Sequence, residues 1–150
     1  MNEFKKLVLV ALVALSPMVS QAQDFPEIDK AVANKEMATV IIYRTPQLLG
    51  AASNWAIFEN GERICKLSNK KYMIYQRKPG DSDFRAKVGG VQTWPKKVTG
   101  LEIPLEAGQV YYLKTNVKSS FTRARVELTE VTDRAAKKEM QELSLDRCSQ

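Results

Sequence analysis

Two cysteines and no histidine set the limits of the chemistry open to this 150-residue chain. Without histidine there is no Ser-His-Asp or Cys-His nucleophile and no His-containing zinc site. Two thiols are too few for a cysteine-rich structural zinc site, and the chain has no phosphate-cradling loop and no dinucleotide fingerprint. Cys65 and Cys148 have no Cys-x-x-Cys spacing and no imidazole to lower a thiol pKa, which argues against redox catalysis. In an oxidising compartment such a pair is expected to form a disulfide, here tying a C-terminal tail to a strand. The alternative is two free thiols, Cys65 buried and Cys148 exposed.

Other constellations are weaker. Asp81-Ser82-Asp83 has the first two carboxylates of a calcium-loop pattern but lacks the remaining ligands and the closing Glu. Behind Lys78-Pro79-Gly80 it reads better as a turn, because Pro79 presets φ, Gly80 permits positive φ, and Asp81 or Ser82 can bond local backbone. Lys118 and Ser119 have the types of a base and a nucleophile. Adjacent residues of a strand point to opposite faces, so that pair fails on geometry. No catalytic residue, no metal and no cofactor are expected.

Between Asn69 and Val98 lie Lys70, Lys71, Arg77, Lys78, Arg85, Lys87, Lys96 and Lys97, opposed by Asp81 and Asp83. One reading is a solvated sheet face whose cations blunt edge pairing. The sharper reading makes Lys70, Lys71, Arg77, Lys78, Lys96 and Lys97 a surface for an anionic cell-envelope polymer. Trp94 sits in a polar loop beside Pro95 and Lys96, placed to stack on a sugar or peptide ring if it does not fold back over the core. The aromatics of the strand-like runs, Tyr43, Trp55, Phe58, Tyr72, Tyr75, Tyr111 and Tyr112, are expected to pack inside.

The elements that must position these residues are mostly strands. Ala38 to Thr45 is a run of branched and aromatic residues, stopped by Thr45-Pro46. Asn54 to Glu59 and Glu62 to Leu67 flank Asn60-Gly61, a type I′ hairpin signal. Tyr72 to Arg77 and Phe84 to Val88 flank the Pro-Gly tip. Leu101, Ile103 and Leu105 alternate with Glu102 and Pro104, and Pro104 places that strand at an edge. Val110 to Val117 and Phe121 to Val131 follow. Thr132 or Asp133 caps a helix to about Leu145, with Ala136, Met140 and Leu143 on one face. Phe25, Ile28 and Val32 allow one or two helical turns near the start. These runs predict an all-β fold: an antiparallel β-sandwich of about seven or eight strands with one C-terminal helix packed on it.

Residues 1–22 read as a secretory signal peptide: Lys5 and Lys6, the apolar run Leu7 to Leu15, then Ser20-Gln21-Ala22 as a cleavage site. The apolar run falls short of the roughly 20 residues of a spanning helix. Cleavage after Ala22 leaves a segment from Gln23 to residue 37 as an N-terminal extension and residues 38–150 as one domain. The chain carries +6, and the leader holds Lys5 and Lys6 against Glu3, so +5 remains. The periplasm is the expected compartment, with secretion second. Export makes nucleic acid a poor partner, and no membrane span is expected in the mature chain.

Tyr43-Arg44, Gly50, Asn60-Gly61, Tyr72, Pro79-Gly80, Ala107-Gly108 and Tyr111-Tyr112 occur in an order that resembles the domain-of-unknown-function family 2846, exported or lipid-anchored bacterial proteins. The resemblance covers about residues 38 to 131 plus the helix. It implies a β-sandwich with no established catalytic activity. Thr45 intervenes where the family often has Pro after Tyr-Arg, and Asp81 stands where it often has His after Pro-Gly, so no role for that His carries over. Cys65 falls where the family tends to have a small residue. The expectation is an exported, non-catalytic envelope binding or structural module. The alternative is an exported inhibitor of an envelope-directed enzyme, a lysozyme or protease, acting through a loop.

Overall fold

In the computed structural model the chain is described over residues 24–48, 50–88, 100–120 and 123–148. Among these residues nine strands and two helices follow the order α1 (Pro26–Val32), β1 (Ala38–Arg44), β2 (Trp55–Glu59), β3 (Glu62–Leu67), β4 (Lys71–Arg77), β5 (Gly80–Val88), β6 (Leu101–Leu105), β7 (Val110–Ser120), β8 (Arg123–Val131), α2 (Asp133–Glu139) and β9 (Ser144–Leu145). One sheet has the order β8-β7-β1-β4-β9 and the other β3-β2-β5-β6. The fold is therefore mostly β, as the strand-like runs predict.

β1 explains the layering. All seven of its residues are buried. Val40 and Ile42 join Met73 and Leu113 in a core shared with Trp55, Ile57, Leu67, Phe84 and Ile103 of the other sheet. Ile41 and Tyr43 face the opposite way, where Phe25 and Ile28 of the α1 region and Ala136, Met140 and Leu143 of the α2 region cover them. A strand with both faces covered buries successive side chains on either side, which is why the run Val40 to Tyr43 does not alternate.

The first sheet corrects the expectation of a wholly antiparallel arrangement. β1 pairs antiparallel with β4 but parallel with β7, and β4 pairs parallel with β9. A parallel pair needs a long crossover, and the whole second sheet lies in the chain between β1 and β7.

Asn60 and Gly61 take φ of 48° and 86° between paired Glu59 and Glu62, the left-handed pair that a two-residue hairpin demands. Lys78-Pro79 is a different kind of corner. β4 belongs to the first sheet and β5 to the second, so the Pro-Gly tip carries the chain across between sheets and closes no hairpin. Gly80, with φ of 141°, already belongs to β5. Asp81 and Asp83 are thus strand residues opposite Pro104 and Glu102. Asp is a poor strand former, so the stretch reads as loop; pairing with β6 overrides that preference. β6 is an edge strand, in keeping with Pro104.

α2 is shorter than its apolar spacing suggests. Thr132 caps it by accepting from the Ala135 N–H at 3.4 Å, and the helix ends at Glu139. Met140 and Leu143 still bury themselves, but the backbone then finds partners on β4: the Ser144 N–H donates to Lys70 O and the Asp146 N–H to Tyr72 O at 2.7 Å. An open strand edge offered the chain better hydrogen bonds than one more helical turn exposed to water.

Candidate functional site

Glu59 closes the apolar run Trp55–Glu59, one residue before the hairpin turn. Its register partner is Phe84, so its side chain points between the sheets, and it is 7% exposed. There Oε1 accepts from Ser82 Oγ at 2.8 Å, and Oε2 accepts from the Tyr75 hydroxyl at 2.7 Å. The Arg77 guanidinium pairs with the same carboxylate. Tyr75 and Arg77 are two apart on β4 and share a face, so this one carboxylate joins β4 of the first sheet to β5 of the second. Burial, and then the charge of Glu62, push the Tyr75 phenol above its ordinary pKa, which keeps it a donor. A carboxylate already held by an arginine is a poor base for the serine hydroxyl beside it, and Ser82 is itself buried. The arrangement works as a tie between sheets.

Beside this tie opens a concavity of about 500 Å³, lined by Asn60, Asp81, Ser82, Asp83, Glu102, Ile103 and Pro104. The hairpin turn is fixed against it: the Asp83 N–H donates to Asn60 Oδ1 at 2.9 Å, and the Asn60 N–H donates to Asp83 O at 2.9 Å. Arg85 Nε donates to Asp83 Oδ2 at 2.8 Å, while Oδ1 of Asp83 is buried and has no hydrogen-bond partner among the described residues. The rim is acidic and suits a cationic group. Among the described residues the cluster with metal-ligand proximity is elsewhere, at Cys65, Asp146 and Cys148, and its two sulfurs are bonded to each other.

At the far end of β1, Arg44 is fully buried with backbone carbonyls as its acceptors: Ser53 O at 2.7 Å and Leu67 O at 3.4 Å from Nη1, and Gly50 O at 2.6 Å from Nη2. Its guanidinium lies 3.7 Å over the Trp55 ring. Loss of solvent pushes its pKa down to about 10. Gly50 takes φ of 74° as the loop passes Trp55; a Cβ there would already touch Trp55 Nε1 at 3.5 Å. Asn69 clasps the same loop, accepting from the Gln47 N–H at 3.3 Å and donating to Gln47 O at 3.4 Å.

The expected disulfide is present: Cys65 and Cys148 are joined at 2.10 Å, 83 residues apart in sequence. Asp146 reinforces it, accepting from the Ser68 N–H at 2.8 Å and the Cys148 N–H at 2.9 Å. The expected basic surface is divided. Lys70 and Lys71 lie at one end of β4 and Arg77 and Lys78 at the other, about 20 Å away at strand spacing. Arg77 is bound to Glu59, and Lys71 Nζ donates to Ser144 Oγ at 2.7 Å. Trp94, Lys96 and Lys97, like residues 1–22, lie outside the described residues. Lys118 pairs with Glu127 at 2.9 Å. Tyr43, Trp55, Phe58, Tyr72 and Tyr112 are buried, as their place in strands suggests.

Sequence reasoning gave no structural role to Glu59 or Arg44. A carboxylate ending an apolar strand and an arginine ending a largely apolar one were available signals, but nothing in the sequence pairs either with its partners. Comparison with curated proteins yields no match. The profile of a family described as proteins of unknown function matches residues 34–127. The chain belongs to that family, DUF2846.

Proposed function

We propose that the protein is an exported β-sandwich of the cell envelope, periplasmic after removal of its leader, that acts by binding and not by catalysis. The observation that carries this reading is the Cys65–Cys148 disulfide. Such a bond persists in oxidising compartments and is rare elsewhere, and here it closes a domain preceded by a charged start, an apolar run and a small-residue site. The absence of histidine and the spent carboxylate of Glu59 support the non-catalytic half of the reading. The partner is an anionic component of the envelope, taken at the end of the molecule that bears Lys70 and Lys71. Fractionation tests the reading. Protein recovered from the periplasm should have the mass of a chain beginning at Gln23 and no thiol reactive after denaturation without reductant. Full-length chain in the cytoplasm, or two reactive thiols, would overturn it.

The acidic concavity favours a second reading, an inhibitor of an envelope-directed enzyme. A hairpin turn pinned beside Asp81, Asp83 and Glu102 presents carboxylates to a cationic side chain of a partner. Inhibition of a basic lysozyme that is lost in Asp83→Asn would support this reading. Equal lysozyme activity with and without the protein would remove it.

A further inference from the structure

Among the described residues the exposed large apolar side chains are Leu48, 99% exposed, and Val88, 40% exposed. Both lie at one end of the molecule. Val88 is opposite Trp55 in the β2–β5 register, and the loop bearing Leu48 passes Trp55 at Gly50. That loop is held: Arg44 bonds its Gly50 and Ser53 carbonyls, and Asn69 clasps Gln47, the residue before Leu48. The side chain is therefore presented to water by a fixed backbone.

A single exposed leucine needs no explanation by itself. Its surroundings distinguish this one. Lys70, exposed and at φ of 57°, follows Asn69 at the tip of the β3–β4 turn, and Lys71 comes next. Exposed Arg147 stands on the tail that Asp146 fixes to Ser68, and the Asp146 carboxylate is taken up by two backbone amides. The N-terminal end of α1, with exposed Asp24 and Glu27, lies on the helix-covered face of this end. Phe25 packs edge-on against Tyr72 at 5.8 Å, whereas Ala31 O accepts from Gln76 at the other end of β4. Helix α1 thus runs away from this end.

We infer that this end docks on an anionic lipid bilayer. Leu48 enters the boundary between headgroups and acyl chains, and Lys70, Lys71 and Arg147 lie against the lipid phosphates. An anionic polymer would engage the cations and leave Leu48 without a role. Cations near an anionic surface strengthen association about fivefold each, and burial of one leucine side chain strengthens it about tenfold or more, together enough for weak, reversible association. The inference rests on the envelope-binding reading and names its surface and partner. Vesicle binding in solution does not depend on where the cell sends the protein, so the two fail separately.

The test is co-sedimentation of the purified, oxidised protein with phosphatidylglycerol–phosphatidylcholine vesicles and with phosphatidylcholine vesicles alone. All variants are compared in the same processed form, fixed by mass. The protein should bind the anionic vesicles and lose binding as salt rises. Leu48→Asp should weaken binding about tenfold or more, the partition of one leucine side chain, with its Tm unchanged because Leu48 is wholly exposed. Lys70→Glu and Arg147→Glu should each weaken it by about fivefold or more. Leu48→Trp should shift its emission to the blue on anionic vesicles. No binding to anionic vesicles, undiminished binding by Leu48→Asp, or an unshifted Leu48→Trp spectrum would each overturn the proposal. Dextran sulfate separates lipid from simple polyanion: Leu48→Asp should bind it as the unaltered protein does, and a matching loss there would overturn the lipid assignment.

Discussion

Reducing the Cys65–Cys148 bond should lower stability by an amount that the topology sets. The bridge closes 83 residues of chain, so the loop-entropy model assigns it about 4.5 kcal/mol through the unfolded state, as an upper figure. With about 2 cal/mol/K of unfolding entropy per residue over the 125 residues from Asp24 to Cys148, that corresponds to a fall in Tm of about 17 °C. The tail keeps other attachments: β9 still has Lys71 and Tyr72 to pair with, and Asp146 still reaches Ser68. Their loss should follow locally, as faster amide exchange at Ser144 and Asp146 while β1, β4 and β7 stay protected. Scanning calorimetry with and without dithiothreitol reads the first effect. The double variant Cys65→Ala with Cys148→Ala should melt slightly below the reduced protein, because it also leaves a small void where Cys65 is buried. A reduced protein melting within about 3 °C of the oxidised one would refute the entropic argument, since nearly all of the loop-closure contribution would then be missing.

Four further outcomes follow from other polar groups of the fold. Glu59→Ala strands Arg77 and the hydroxyls of Tyr75 and Ser82, and urea unfolding should show a loss of about 3 kcal/mol. Arg44→Lys keeps a charge but not the planar fork that reaches Gly50 and Ser53 while lying on Trp55, so it should cost about 2 kcal/mol and speed amide exchange at Ala51 and Ser53. Tyr43, Tyr72, Tyr75 and Tyr112 all have pKa values raised above 10.0, burial being the first cause in each. The folded state therefore holds protons that the unfolded state gives up, and stability should fall as pH rises past about 10; a flat urea midpoint between pH 9 and 11, with phenol absorbance followed alongside, would contradict this. Glu139 acts at the other extreme. Burial opposes its ionisation, but hydrogen bonds from Lys114 and Tyr43 outweigh that and lower its pKa, so its contribution is present near neutrality and is lost as acid pH passes below its ordinary 4.5.

Local rules made much of this molecule legible in one dimension. Asn60-Gly61 specifies a hairpin because two successive left-handed residues are cheap there and costly elsewhere. Branched and aromatic runs mark strands, Pro104 marks an edge, and the spacing of Ala136, Met140 and Leu143 marks a face that docks, even though the helix beneath it stops at Glu139. A pair of cysteines behind an export-like leader anticipates the bridge. These features depend on residues close in sequence or on a pairing with no competitor.

What the tertiary structure alone decided involves partners far apart in the chain. Which sheet each strand joins made the Pro-Gly turn a crossing between sheets and made Asp81 and Asp83 part of β5. Parallel pairing of β1 with β7 depends on how the whole intervening sheet folds back. The Glu59 tie, the Arg44 clamp and the bonds that hold Gln47 to Asn69 and Ser68 to Asp146 bring together residues from separate segments. No periodicity records such meetings, because hydrogen bonds and ion pairs act over a few ångströms in space whatever the separation along the chain, and only the packed arrangement of two sheets sets those distances.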